Sequence, residues 1–152
     1  MTNVLMVCLG NICRSPAAEA VMQSVVAKAG REDVMVDSAG TAAYHQGENA
    51  DPRMIAAADR RGLNITSLSR PVVPEDFERF QVIVAMDESN LSNLKAMTPS
   101  QYSGRVVLMT DFCKEHEIRG VPDPYYGELN GFDYVLDILE DGCPHLLASI
   151  DE

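Results

Sequence analysis

Short runs of apolar residues alternate along the chain with segments whose apolar positions recur at helical spacing. The apolar runs have the continuous character of strands buried on both faces of a sheet, and they cover 4–7, 34–36, 82–86 and 106–109. The helical segments cover 16–29, 52–62, 74–80, the residues after Asp87, and 132–147. This alternation predicts one α/β domain over residues 1–152 with a mostly parallel sheet.

The predicted helices carry start and stop signals. Pro16 suits the first position of the first helix, and Gly30 suits its left-handed end. Asp51 and Asp87 each precede a helix as capping residues, and Pro52 opens the first of these two. In parallel sheets a ligand binds beyond the carboxyl ends of the strands. We therefore expect the functional site among residues 8–15, 38–53, 87–90 and 111–130.

The composition is that of an ordinary globular protein, with 46% hydrophobic and 23% charged residues. The formal net charge of −11 argues against nucleic acid and anionic membranes as partners, because both attract basic surfaces. No apolar run approaches the roughly 18 residues that a membrane span requires. The first residues lack the basic region of a secretory signal. We therefore expect a cytoplasmic protein.

Four cysteines lie at positions 8, 13, 113 and 143. In the cytoplasm they are expected to be reduced thiols. Cys8 and Cys13 have C-x4-C spacing, but the third cysteine position of a plant-type iron–sulfur motif holds Pro16. No C-x2-C pair occurs, and the histidines are distant in sequence. The sequence predicts no metal and no cofactor, and the question becomes whether one thiol is reactive.

The most informative segment is C-L-G-N-I-C-R-S-P at 8–16, which runs from the first predicted strand into the first helix. Helix N-termini bind anions because their backbone N–H groups are unpaired and the helix dipole is positive there. Gly10 permits close backbone approach, and Gly10 and Asn11 tolerate the positive φ angles of an anion-binding loop. Arg14 adds a guanidinium that can hold two phosphate oxygens. The predicted phosphate-binding loop comprises Leu9, Gly10, Asn11, Ile12, Cys13 and Ser15.

A cysteine stands at the start of this segment. A helix N-terminus and an arginine favour the thiolate form of a nearby cysteine, so Cys8 would be an in-line nucleophile beneath a bound phosphate. Arg14 and the backbone amides would offset the repulsion between the thiolate and the phosphate. Free cysteines are usually small core residues, but C-x5-R between a strand and a helix favours the catalytic interpretation.

The segment V-L-M-V followed by C-L-G-N-I-C-R-S-P resembles the active-site loop of the low-molecular-weight protein tyrosine phosphatases, and the similarity covers nearly the whole chain. It extends to D-S at 37–38, D-P-R at 51–53, M-D-E-S-N at 86–90 and D-P-Y-Y-G at 123–127. The resemblance implies a four-stranded parallel sheet in the flavodoxin-like order 2-1-3-4, flanked by about five helices. It also implies a metal-independent phosphatase acting on phosphotyrosine-containing proteins, with inorganic phosphate or other oxyanions as product-like ligands.

The resemblance also implies roles for individual residues. Cys8 forms a phosphocysteine intermediate, Arg14 binds the phosphoryl oxygens, and Asp123 acts as general acid and then as general base. Two observations independently support Asp123: protonating a phenolate accelerates its departure by roughly 10²–10⁴-fold, and no Lys or Arg follows Arg119 that could keep the carboxyl ionised. An Asp before Pro is also a common turn residue, and the residues alone leave that alternative open.

Further residues are expected to support these three. Ser15 either caps the helix or donates a hydrogen bond to the thiolate. Asn11 holds the loop through side-chain bonds, which in the family partly involve the residue matching Ser38. Asp87 caps a helix and also bonds the loop arginine. Ser67 stands where the family has a histidine in this supporting network.

Three tyrosines are predicted to form aromatic walls of the substrate cleft: Tyr44, Tyr125 and Tyr126. The last two are also candidate phosphorylation sites. Cys13, by resemblance, forms a reversible disulfide with Cys8 under peroxide, as a low-pKa thiolate beside a resolving thiol allows. The three histidines are interpreted as surface or ordinary polar residues.

Three alternative functions remain open. A thioredoxin-coupled arsenate reductase shares this loop and fold but needs two further cysteines near the middle of the chain, and 64–97 contain none. A protein arginine phosphatase is a related branch, which has Thr where this loop has Ile12. The third alternative is a catalytically silent module that binds phosphate, and the presence of Cys8, Arg14 and Asp123 argues against it.

Overall fold

The computed structural model describes residues 1–125, 127 and 130–151, which form one α/β domain. Its elements are, in chain order, β1 (Thr2–Cys8), α1 (Arg14–Lys28), β2 (Val34–Gly40), α2 (Pro52–Asp59), α3 (Asp76–Arg79), β3 (Val82–Ala85), α4 (Glu88–Met97), β4 (Arg105–Leu108) and α5 (Asn130–Ile150). A short 3-10 helix, Met109–Phe112, follows β4. Among the described helices, none is both long enough and apolar enough to cross a membrane.

The four strands are parallel and lie in the order β2-β1-β3-β4, which confirms the prediction. β1 pairs with β2 on one side and with β3 on the other, so that Cys8 at its carboxyl end lies beside Gly40. The chain therefore leaves β1 at a point where successive connections diverge to opposite sides. Ligands bind at such points in open parallel sheets.

Two apolar layers cover the sheet. Alternate residues of a strand point to opposite faces. Val4 and Met6 belong to the cluster formed with α1, α2 and α5, while Leu5 and Val7 pack with α3 and α4. All four side chains are fully buried. This explains why β1 reads as a continuous apolar run rather than an alternating one.

Some element ends differ from the prediction. α1 begins at Arg14, which makes Pro16 its third residue instead of its first. Proline is tolerated there because the N–H groups of a first turn have no helical partner. β2 continues to Gly40, since β1 pairs with it over its whole length. The stop at Gly30 is confirmed by its φ of 68°, and the Asp51 side chain caps α2 as predicted.

Candidate active site

The loop that joins β1 to α1 is fixed by the segment that follows β2. The N–H groups at positions 41 and 42 donate to the carbonyl oxygens of Cys8 and Leu9 at 2.9 and 3.0 Å. Asn11 adopts a left-handed φ of 57°, which turns the loop. Gly40 makes this approach possible, because a side-chain carbon there would lie 2.7 Å from the Leu9 carbonyl oxygen. The loop conformation is therefore set by two neighbouring strands together.

A chain of hydrogen bonds converges on the sulfur of Cys8. The backbone N–H of Asn11 donates to Sγ at 3.3 Å, and Ser15 Oγ lies 3.1 Å from Sγ. Asn11 Nδ2 donates to Ser15 Oγ at 2.7 Å, and Arg70 N donates to Asn11 Oδ1 at 3.0 Å. Ser15 Oγ is thus an acceptor from Asn11, and its own proton has two acceptors within reach, the sulfur at 3.1 Å and the Ala39 carbonyl oxygen at 3.4 Å. Polar contacts from the loop backbone and from α1 therefore fix the position of the sulfur.

Ser15 does not cap α1. The N-cap residue is Cys13, and its side chain makes no capping hydrogen bond. Of the two expectations for Ser15, capping is wrong and contact with the Cys8 sulfur agrees with the geometry. The reason is that α1 begins at Arg14, which puts Ser15 inside the first turn.

Arg14, where the loop passes into α1, is buried, with 3% of its surface exposed. Its Nη1 donates to Asp87 Oδ2 at 2.6 Å and to the Val121 carbonyl oxygen at 3.0 Å. Asp87 also accepts from Asn90 N at 2.7 Å within a capping box at the start of α4. Both contacts expected of Asp87 are therefore present on one side chain. The two bonds from Arg14 Nη1 fix the plane of the guanidinium, which lines the pocket.

Asp123 lies across the pocket from the loop. Its Oδ1 accepts from Tyr125 N at 3.0 Å, and its Oδ2 is 3.7 Å from Arg14 Nη2. The expectation that no cation neighbours Asp123 holds along the sequence but is wrong in space, because the fold brings Arg14 to it from the other end of the chain. The carboxyl group is two-fifths exposed, so it is open to a substrate and to water.

Cys8, Arg14 and Asp123 line one pocket of roughly 120 Å³. Its lining residues are Cys8, Leu9, Gly10, Ile12, Cys13, Arg14, Tyr44, His45, Asp123 and Tyr125. Tyr44 is 75% exposed and stands at the rim, whereas Tyr125 is half-buried. Tyr126, the third predicted wall residue, lies outside the described residues. The pocket thus combines a thiol, a guanidinium and a carboxyl group with apolar and aromatic side chains.

A family model described as "Low molecular weight phosphotyrosine protein phosphatase" matches residues 3–152. The chain belongs to this family. A low molecular weight phosphotyrosine protein phosphatase of Schizosaccharomyces pombe is 41% identical, with 97% of this chain and 96% of the relative covered. By family the chain is therefore an enzyme, a protein-tyrosine phosphatase.

Two solved structures of phosphatases extend this comparison. The crystal structure of a protein tyrosine phosphatase from Entamoeba histolytica, with Hepes in its active site, matches with a TM-score of 0.96 and 47% identity. That match covers 99% of this chain and 97% of the Entamoeba chain. The crystal structure of a Drosophila arginine phosphatase matches with a TM-score of 0.93 and 31% identity, covering 100% and 99% of the two chains.

The hydrogen bonds around the predicted phosphate-binding loop of the phosphatase differ from the expectation at Ser38. Its hydroxyl donates to Glu19 Oε1 at 2.6 Å rather than to Asn11. Burial raises the pKa of that carboxyl above its ordinary value, and the nearby Ser38 and Ser67 hydroxyls oppose the rise. Asn11 is held instead by the backbone of Arg70. Glu19 was not predicted, because a Glu on the second turn of a helix gives no signal of a buried hydroxyl partner such as Ser38.

The other cysteines of the phosphatase are in different surroundings from Cys8. Burial raises the pKa of the Cys13 thiol well above its ordinary value, and the nearby Asp51 and Cys8 add to the rise. Burial likewise raises the pKa of Cys113 to about 12 and that of Cys143 further. Cys143 is fully buried in α5, as expected of a core cysteine.

Two residues of the phosphatase site were missed from the sequence. His45 lines the pocket, and its Nδ1 lies 2.9 Å from Glu48 Oε2, so it is more than an ordinary surface residue. Arg53 bonds both oxygens of Asp51 and the carbonyl oxygen of Tyr125. The D-P-R motif pointed to Arg53 only as part of a resemblance, since its contact with Tyr125, in the loop that carries Asp123, is 72 residues away in sequence. In the part of the chain that the structure describes, no group of three or more His, Cys, Asp or Glu residues is arranged to hold a metal ion.

Proposed function

We propose that the protein hydrolyses phosphotyrosine in proteins through a phosphocysteine intermediate on Cys8. One observation carries the proposal: a single pocket is lined by the thiol of Cys8, the guanidinium of Arg14 and the carboxyl group of Asp123. Nucleophile, positive charge and proton donor are the three groups that cleavage of a phosphate monoester requires. Family membership supports the same reaction.

In the first step, the Cys8 sulfur attacks phosphorus and the bond from phosphorus to the phenolic oxygen breaks. Asp123 gives its proton to the departing oxygen, so the tyrosine leaves as a neutral phenol. Arg14 and the backbone amides of the loop hold the three phosphoryl oxygens and stabilise the charge that the transition state spreads over them. The hydrogen bonds that Arg14 donates to Asp87 and to the Val121 carbonyl oxygen keep the guanidinium in place at no further entropic cost.

In the second step, water attacks the phosphocysteine. The Asp123 carboxylate takes a proton from that water, the bond between phosphorus and sulfur breaks, and inorganic phosphate leaves. The sulfur departs as a thiolate, which the Asn11 N–H and the Ser15 hydroxyl receive. Water and phenol use the same side of the pocket, and therefore one carboxyl group serves both steps.

An aryl phosphate suits the sides of the pocket. Apolar and aromatic side chains line the pocket together with Cys8 and Arg14, and they offer a surface on which a phenyl ring can pack. They belong to Leu9, Ile12, Tyr44 and Tyr125. Hepes, an organic sulfonate, occupies the active site of the Entamoeba phosphatase, which supports oxyanions as ligands here. Cys8 must be a free thiol in this reaction, which favours a reducing compartment such as the cytoplasm.

The proposal is tested by following hydrolysis of phenyl phosphate with and without a metal chelator. We expect full activity with chelator, and loss of at least about 10³-fold in the Cys8→Ser variant because serine is a far weaker nucleophile at neutral pH. The matched control is Cys113→Ser, which changes a half-buried thiol outside the pocket. Acid-quenched enzyme should carry covalent phosphate only when Cys8 is present. Unchanged turnover in Cys8→Ser would overturn the proposal.

The related arginine phosphatase activity has one specific observation in its favour, the similarity to the Drosophila structure. Ile12 at the pocket wall favours the aryl substrate, because an apolar side chain packs on a ring and offers no partner to a guanidinium. Comparing kcat/KM for phosphotyrosine and phosphoarginine peptides decides between them. For the arsenate reductase alternative, arsenate reduction in the presence of thioredoxin is the corresponding assay, and no reduction is expected.

We further propose that Cys13 protects Cys8 from irreversible oxidation. The Cys8 sulfur accepts a hydrogen bond from the Asn11 N–H and lies 3.1 Å from Ser15 Oγ, whereas burial raises the pKa of the Cys13 thiol well above its ordinary value. Peroxide, an oxidant from outside the protein, would therefore oxidise Cys8 first to a sulfenic acid, with release of water or hydroxide. Attack by the Cys13 sulfur would then form a disulfide and expel water.

A further inference from the structure

We propose that Arg53 positions the general acid Asp123. It does so by connecting the loop that carries Asp123 and Tyr125, called here the acid loop, to the phosphate-binding loop. This inference rests on the proposed function, because it concerns the carboxyl group assigned there. Arg53 lies on α2 and does not line the pocket. Its guanidinium nevertheless bonds residues of two segments that meet at the pocket. We therefore assign it a positioning role rather than contact with the substrate.

The first half of this connection reaches the acid loop. Arg53 Nη2 donates to the Tyr125 carbonyl oxygen at 3.1 Å, and the guanidinium carbon lies 5.5 Å from the centroid of the Tyr125 ring. Tyr125 in turn donates its backbone N–H to Asp123 Oδ1 at 3.0 Å. Arg53 therefore holds the residue that orients the Asp123 carboxyl group. The same guanidinium stacks at 4.9 Å over the ring of Phe132 near the start of α5.

The second half of the connection reaches the phosphate-binding loop. Arg53 Nε and Nη2 donate to the two oxygens of Asp51 at 3.0 and 2.8 Å, a bidentate pairing that a guanidinium forms and an ammonium does not. Asp51 is itself buried, and its backbone N–H donates to the Ile12 carbonyl oxygen at 2.8 Å. The acid loop is thus fixed relative to the loop that carries Cys8, through two side chains.

Proton transfer to a leaving group is sensitive to such positioning, because a displacement of about 1 Å can cost 10²-fold in rate. A positioning role predicts a specific signature. Substrates whose phenolate is a strong base need the proton most, so they should lose most when Asp123 is displaced. Substrates whose phenolate is a weak base leave without help. Phosphate binding, which Arg14 and the loop amides perform, should not change.

The experiment compares kcat/KM for phenyl phosphate and for p-nitrophenyl phosphate, whose phenolate is the weaker base. Four variants are needed: Arg53→Gln, Arg53→Lys, Arg60→Gln and Asp123→Asn. Arg60→Gln is the matched control, because it removes the same charge. Arg60 follows directly after α2 and pairs with the exposed Asp133 at 3.5 Å instead of with the acid loop. The inhibition constant of inorganic phosphate is measured for each.

We expect Arg53→Gln to lower kcat/KM for phenyl phosphate about tenfold more than for p-nitrophenyl phosphate, with phosphate inhibition within about twofold of wild type. Arg53→Lys should show the same pattern more weakly, and it decides the question if Arg53→Gln does not fold. Arg60→Gln should leave both substrates unchanged. Equal losses for the two substrates, weakened phosphate inhibition, or the same pattern in Arg60→Gln would each overturn the positioning role.

Asp123→Asn separates this inference from the proposed function. If Asp123→Asn shows the expected dependence on the leaving group and Arg53→Gln does not, only the role of Arg53 is wrong. If Asp123→Asn shows no such dependence, the general acid has been misassigned, and the role of Arg53 is wrong with it.

Discussion

The two loops that meet at the pocket are held in different ways. The phosphate-binding loop, 8–15, is largely buried: Asn11, Arg14 and Ser15 expose 3% of their surface or less. It is held by backbone bonds to the segment after β2 and by side-chain bonds within the loop. The described part of the acid loop, 121–125 and 127, exposes Asp123. Its contacts include the bond of Val121 N to Met86 O at 2.7 Å and the bond to Arg53.

This difference agrees with what each loop does in the proposed mechanism. Stabilising a transferred phosphoryl group needs dipoles that are already oriented, because reorienting them during the reaction would raise the barrier. The acid loop must instead deliver a proton to leaving groups that vary in size and then admit water. A damaged phosphate-binding loop should therefore impair all substrates alike, whereas a damaged acid loop should impair substrates according to their leaving group.

Replacing Asp123 by alanine should give the largest effect on the acid loop. For phenyl phosphate we expect kcat/KM to fall by roughly 10²–10⁴-fold, the usual contribution of a general acid. For p-nitrophenyl phosphate the fall should be at least about tenfold smaller, since its phenolate departs more easily. Steady-state rates with a series of substituted phenyl phosphates measure this. Equal losses across the series would show that Asp123 holds the structure and does not donate the proton.

Replacing Asn11 by alanine should have the next largest effect, and the effect should be uniform. The change removes the bonds from Arg70 N and to Ser15 Oγ and places alanine at a φ of 57°. We expect kcat/KM to fall about 10²-fold for both aryl phosphates, because the loop donors lose their alignment. The control is Asn93→Ala, which changes an exposed asparagine of α4 outside the loop. A loss that depends on the leaving group would contradict this prediction.

The same contrast explains how much the sequence could predict. The phosphate-binding loop is contiguous, so a strand, a turn and a helix start could be read from neighbouring residues. The strand order likewise matched. Contacts between distant segments were harder to predict: the bond of Arg14 to Asp87, 73 residues away, was expected only from the family resemblance, and its bond to Val121, 107 residues away, was not expected at all. Ser38 was paired with the wrong partner for the same reason: its hydrogen bond to Glu19 depends on how β2 packs against α1.

Element ends inside the site were also hard to predict. Pro16 favoured a helix start two residues late, since proline is a strong signal for the first helical position. The helix begins earlier because Arg14 and Ser15 are held in the first turn by contacts with Asp87 and Cys8. Tertiary contacts therefore override local preference at the point where the loop becomes a helix.

Peroxide treatment should distinguish Cys13 from the other cysteines. In wild type we expect most activity to return after addition of a thiol reductant, because the disulfide is reversible. In Cys13→Ala the recovered fraction should be at least about twofold smaller, since a sulfenic acid without a resolving thiol proceeds to irreversible forms. Cys113→Ala serves as the control and should recover like wild type. If Cys13→Ala recovers as fully as wild type, the protective role is wrong.

The smallest effect on activity is expected at a carboxylate remote from both loops, Asp141 of α5. It accepts hydrogen bonds from the backbone N–H groups of residues 114, 115 and 116 at 2.9 to 3.0 Å, and it lies 2.7 Å from His116 Nδ1. Burial alone would raise its pKa, but these hydrogen bonds hold the pKa of Asp141 well below its ordinary value. The ionised carboxylate therefore stabilises the fold.

Because the pKa of Asp141 is lower in the folded than in the unfolded chain, this stabilisation is fully present above the unfolded value of about 3.9 and is lost as the pH falls toward the folded value. We expect Asp141→Asn to lower the free energy of unfolding by about 2 kcal/mol at pH 7, with kcat/KM within about twofold of wild type. Urea unfolding at pH 7, 4 and 3 should show the difference between the two proteins shrinking with acid. A constant difference would mean that the carboxylate charge is not what stabilises the loop, and a large loss of activity would contradict the separation between structural charges and those of the pocket.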